Sequence, residues 1–138
     1  MPLSPQPSFL TASLLVASGG AVGSWLRYCV GRAWTLALAP VRASGFPWST
    51  LSVNVAGSLA MGLLTGWLAR HADVAEPARL LLAVGLLGGF TTFSSFSLEA
   101  VTLIQSGQSG LAMTYITASL IAGLLGLWLG LQLMRTAA

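Results

Sequence analysis

Between residues 88 and 97 the chain reads GGFTTFSSFS, with five hydroxyl side chains and three phenylalanines behind a glycine pair. A hydroxyl both donates and accepts hydrogen bonds, and an aromatic ring carries a positive edge. Such a group could offer an anion a weakly favourable surround, and donors without full charge would bind the ion without trapping it. Each glycine costs a helix about 1 kcal/mol relative to alanine, so a helix running through Gly88 and Gly89 is expected to break there. The freed carbonyls would then need partners: other helices, water or a cation. Two plainer readings compete. Serine and threonine can bond back to carbonyls one turn earlier, and Phe90, Phe93 and Phe96 can form a packing stripe toward lipid.

Three further positions could join this chemistry. Asn54, within STLSVNVAGS, has an amide with two donor hydrogens and an acceptor oxygen; it could clamp one helix to another or donate to a passing anion. Tyr115 and Ser119 are four residues apart and share a helix face, where they could continue a row of hydroxyl donors or simply pack. Arg27, in GGAVGSWLRY, could snorkel to an interface or raise the local anion concentration at a pore mouth.

The elements that must hold these residues are membrane spans. Of 138 residues, 55% are hydrophobic and 7% charged, against roughly a quarter charged in ordinary soluble domains. Four apolar stretches, about 10 to 38, 48 to 69, 78 to 105 and 110 to 134, each approach or exceed the ~20 residues that cross a bilayer as a helix. The expected fold is an all-α integral membrane protein of four transmembrane helices, the third broken near its middle, in a single domain covering 1–138. Short connections, APVRASGFP, RHADVAEPAR and QSGQSG, make neighbouring helices antiparallel. Rows of small residues, including Gly19 and Gly23 in the first helix and Ser58, Gly62 and Gly66 in the second, permit close helix contact in lipid.

Alternating spans put Arg70, Arg79 and Arg135 on one side and Arg32 and Arg42 on the other. Three cations against two is a weak orienting bias under the positive-inside rule, so insertion both ways up is open from charge alone. Scattered arginines form no basic stripe of the kind nucleic-acid binders show. A single cysteine, Cys29, allows no internal disulfide and is expected as a small buried packing residue. There is no phosphate-binding glycine loop with its lysine, no metal-ligand cluster, and no nucleophile, histidine and carboxylate set plausibly assembled in the membrane. The only carboxylate within a span is Glu99, near the end of the third. Enzymatic function has little support.

Together, GGAVGSWLRY, Asn54 in STLSVNVAGS and GGFTTFSSFSLEA resemble the Fluc (CrcB) family of small fluoride channels, over all four spans. The resemblance implies an antiparallel, dual-topology homodimer in the cell inner membrane, with two fluoride pathways. It implies that Phe93 and Phe96 turn ring edges to fluoride and that Asn54 is the pore asparagine. Thr92 and Ser95 lie beside the rings, and Tyr115 and Ser119 begin a hydroxyl track that Gly123 interrupts. Arg27 matches a vestibule arginine. Main-chain carbonyls of Gly88 and Thr91, from both subunits, would hold a central structural sodium ion. The function so implied is passive export of cytoplasmic fluoride, reducing its toxicity. Alternatives are a small dual-topology, proton-coupled drug exporter, which calls for a central carboxylate that the first helix lacks, and a structural subunit with no permeation of its own.

Overall fold

The computed structural model describes residues 6–37, 45–71 and 75–136. Arg42, counted above among the orienting cations, lies outside them. Among the described residues all regular structure is helical: α1 (Phe9–Ala37), α2 (Trp48–Leu68), α3 (Ala75–Ala78), a π-helical segment (Arg79–Leu87), α4 (Gly88–Phe90), α5 (Phe93–Gln105) and α6 (Ser109–Thr136). Segments of 29, 21, 30 and 28 residues, Phe9–Ala37, Trp48–Leu68, Glu76–Gln105 and Ser109–Thr136, are long and apolar enough to cross a membrane.

Glycines set how closely these helices approach. The first half of the third span packs on α1: a Cβ on Gly19 would overlap the Leu81 carbonyl oxygen, and one on Gly23 the Leu86 carbonyl oxygen. On the other side α2 packs on α6, where a Cβ on Gly62 would overlap the Leu127 carbonyl oxygen. Backbones in van der Waals contact gain dispersion energy that lipid-solvated side chains do not supply. Trp34 ties α1 to α2 by donating its indole N–H to Ser52 Oγ at 2.9 Å. Cys29 is half-buried rather than fully enclosed.

The buried apolar cluster sits where α5 meets α6, around Ala100, Leu103, Ala112 and Tyr115, with Phe46, Leu51 and Phe96 packed against it. Gly88 is itself helical, at φ −63° and ψ −37°, and Gly88–Phe90 forms α4. The residues outside helical conformation are the next two, Thr91 (φ −82°, ψ 160°) and Thr92 (φ −153°, ψ 120°). Gly89 instead serves close packing, since a Cβ there would stand 2.6 Å from the Gly20 carbonyl oxygen. The glycine penalty is small enough for that contact to override.

Candidate functional site

The extended pair Thr91 and Thr92 is held from α2. Asn54 accepts a hydrogen bond from the Thr92 N–H through Oδ1 at 2.9 Å and donates from Nδ2 to the Thr92 carbonyl at 3.1 Å. The side-chain amide thus pairs with one backbone unit as a neighbouring strand would. An amide nitrogen carries two hydrogens, and only one is engaged in this pair. Clamp and donor, the two roles open for Asn54 from sequence, are compatible in one side chain.

This pairing redirects the local backbone bonds. In an α-helix the Thr92 N–H would serve the carbonyl of Gly88, four residues back, but it serves Asn54 instead. The Ser95 N–H would likewise serve the carbonyl of Thr91, yet it donates to Thr92 Oγ1 at 3.2 Å, which caps α5. Gly88 and Thr91 are thus two of the carbonyls in this stretch that lose their α-helical donors; the Gly89 carbonyl accepts from the Ser24 hydroxyl at 3.5 Å. Neutral main-chain oxygens are ligands that hard cations accept, so the donor chemistry of the Gly88 and Thr91 carbonyls fits a sodium ion.

The five hydroxyls divide into two groups. Thr91 and Ser97 bond back one turn, to the Leu87 carbonyl and the Phe93 carbonyl, each at 2.9 Å. Thr92 donates to Ser95 Oγ at 3.1 Å and lies 3.3 Å from Ser94 Oγ. Because Thr92 supplies the proton of the first contact, the Ser95 hydroxyl hydrogen is not consumed by it.

Phe93 and Phe96 have ring centroids 5.7 Å apart at an interplanar angle of 39°. Phe96 continues to Tyr115 at 5.3 Å. The two phenylalanines differ in setting: Phe96 is half-buried, whereas Phe93 is 77% exposed. Two open cavities meet beside them. One, of about 240 Å³, is lined by Asn54, Ser58, Phe93, Phe96, Ser119 and Gly123, among others. The other, of about 370 Å³, includes Asn54, Gly57, Ser58, Thr91, Thr92 and Phe93. Within the first, Ser119 Oγ is buried and has no hydrogen-bond partner among the described residues. A buried hydroxyl left unpaired costs about 1–3 kcal/mol, so it marks a place where a ligand or water belongs.

Of the positions expected from sequence, the structure gathers Asn54, Phe93, Phe96 and Ser119 around one cavity, with Thr92 on its neighbour. Ser95 joins through its bond to Thr92. Arg27 stands apart, half-buried and one turn beyond Gly23 on the α1 face that meets the third span. Tyr115 is fully buried, and its hydroxyl proton is engaged: it donates to Glu99 Oε2 at 2.7 Å, while Thr50 Oγ1 donates to Glu99 Oε1 at 2.7 Å. Sequence reasoning noted Glu99 only as the carboxylate within a span. That rarity was itself the available signal, because an ionisable group at membrane depth must be partnered.

A family model described as "CrcB-like protein, Camphor Resistance (CrcB)" matches residues 14–131, the greater part of all four spans. The chain belongs to the CrcB family. Several CrcB relatives carry the name "Fluoride-specific ion channel FluC". One from Novosphingobium aromaticivorans is 51% identical over 94% of this chain and all of the relative. Those from Hyphomonas neptunium and Agrobacterium fabrum are 52% and 50% identical, each over 88% of this chain and 94% of the relative. With four spanning helices and this kinship, the CrcB chain is a multi-pass membrane protein.

Proposed function

We propose that this chain is a fluoride-selective channel, not an enzyme, that lets the ion leave the cytoplasm passively. The observation that carries the reading is the buried hydroxyl of Ser119, without a partner among the described residues, in a cavity shared with Asn54, Phe93 and Phe96. Fluoride moving through must exchange its water for protein donors. The second Nδ2 hydrogen of Asn54, the hydroxyls of Ser119 and Ser95, and the positive edges of Phe93 and Phe96 are the groups that take the place of that water. None bears a full charge, so the ion is passed on and not held. Thr92 positions Phe93 by capping α5, and Arg27 concentrates anions at the vestibule. Tyr115 stands at the far end of the row with its proton on Glu99, so it serves as a donor only when that proton turns from the carboxylate to the ion.

Two copies assembled antiparallel would close the walls that one chain leaves open. The 77% exposure of Phe93 and the openness of both cavities support a second subunit there, as does the near balance of arginines on the two sides. A sodium ion on the Gly88 and Thr91 carbonyls of both subunits would supply a fixed positive charge and tie the two extended segments together.

Efflux from liposomes loaded with fluoride or chloride, measured with ion-selective electrodes on purified protein, tests the proposal. Fluoride should leave rapidly and chloride at the rate of protein-free vesicles; equal rates for the two ions would reject it.

A further inference from the structure

We infer that Ser58, on α2, is a donor in the permeation path and supplies the hydroxyl that α6 lacks at Gly123. The inference rests on the fluoride-channel reading above. Tyr115, Ser119 and Gly123 follow one another at four-residue intervals and so form one row along α6, each step about 6 Å in rise. The first two carry hydroxyls and the third only hydrogen. Ser58 faces the gap: its Oγ lies 3.5 Å from the point where a Gly123 Cβ would be, and among the described residues no other atom beyond the adjoining turn of α6 lies within 4 Å of that point.

Position in the cavities makes the same argument independently. The cavities of about 240 and 370 Å³ share three lining residues, Asn54, Phe93 and Ser58. Those three residues stand at the boundary of the two. Ser58 is also one turn from Asn54, so both project from the same face of α2. An ion leaving Asn54 and Ser119 toward the larger cavity has Ser58 as the next hydroxyl, and the missing side chain at Gly123 gives that hydroxyl room to turn. As a small residue in a close-packing row, Ser58 could be exchanged for alanine at no cost to conduction; as a donor it could not.

Liposome efflux separates these roles. Ser58→Ala should slow fluoride efflux by about tenfold, the effect of one lost hydrogen bond on a barrier, with gel-filtration elution unchanged. Adding Gly123→Ser to Ser58→Ala returns a hydroxyl to the same gap from the opposite helix, and should restore efflux to within about threefold of the parent, less than one hydrogen bond's effect. A Ser58→Ala protein at the parental rate would overturn the inference. So would a loss that Gly123→Ser leaves unrepaired in protein that elutes normally. If the parent itself passes no fluoride, the channel reading fails and not this assignment alone.

Discussion

Removing the Asn54 amide tests how much the extended segment depends on α2. Asn54→Ala deletes two contacts at once, the 2.9 Å bond to the Thr92 N–H and the 3.1 Å bond to its carbonyl. Between membrane helices such bonds are worth about 0.6 to 2 kcal/mol each, giving a loss of about 1 to 4 kcal/mol for the pair. The lower half of that range is favoured by the adjoining cavity of about 370 Å³, which lets water reach the orphaned groups. The unfolding equilibrium should therefore shift by about fivefold to about seventyfold, read from SDS-titrated unfolding in mixed micelles. Fluoride efflux should fall by more than about tenfold, because a donor is lost and the capped start of α5, which carries Phe93, is no longer fixed. Asn54→Asp keeps an acceptor for the Thr92 N–H but sets an oxygen against the Thr92 carbonyl and a negative charge in the anion's path. It should conduct less than the alanine variant. An Asn54→Ala protein with an unchanged unfolding midpoint and efflux within twofold of the parent would refute the account of both roles.

Other outcomes follow from packing and from Glu99. Gly23→Ala puts a methyl group onto the Leu86 carbonyl oxygen and 2.8 Å from the Phe90 nitrogen, so α1 must retreat; overpacking of this kind costs about 1–3 kcal/mol or more. Gly110→Ala, with no described atom beyond the adjoining turn of α6 within 4 Å of the new Cβ, should leave the melting temperature in detergent unchanged or slightly raised, and the contrast between the two variants is the check. Glu99→Gln turns one of two acceptors facing Thr50 and Tyr115 into a donor, leaving one buried hydroxyl proton without its acceptor. It should destabilise by about 1–3 kcal/mol, and an unaltered thermal midpoint would show that those contacts contribute nothing.

What was legible in the sequence was what depends on local composition. The spans at about 10 to 38, 48 to 69, 78 to 105 and 110 to 134 lie within a few residues of the helical segments, since length and apolarity alone decide them. The conformation around Gly88 was not legible in detail. Glycine propensity pointed to the glycine pair, but the extended residues are Thr91 and Thr92, selected by a side chain 38 positions away. The same limit hid the Glu99 contacts, which join residues 49 and 16 positions apart. Ser58 read as one more small residue in a packing row, because a small hydroxyl side chain serves contact and donation equally well until the opposite helix is in place.

The identity of residue 54 follows from these constraints. Thr92 presents one N–H and one carbonyl to α2, so its partner must accept and donate side by side. A carboxylate can only accept, a hydroxyl has one proton, and arginine or lysine can only donate. An amide meets both needs and still has a hydrogen left for a ligand. Glutamine has the same groups on a stem one methylene longer; with α2 held against α6 by backbone contacts at Gly62 and Gly130, the helix cannot withdraw to make room for that length. Asn54→Gln should therefore fail to replace asparagine in either unfolding or efflux, despite identical chemistry. If it conducts like the parent, the clamp is not what fixes the asparagine, and the spare hydrogen alone would explain it.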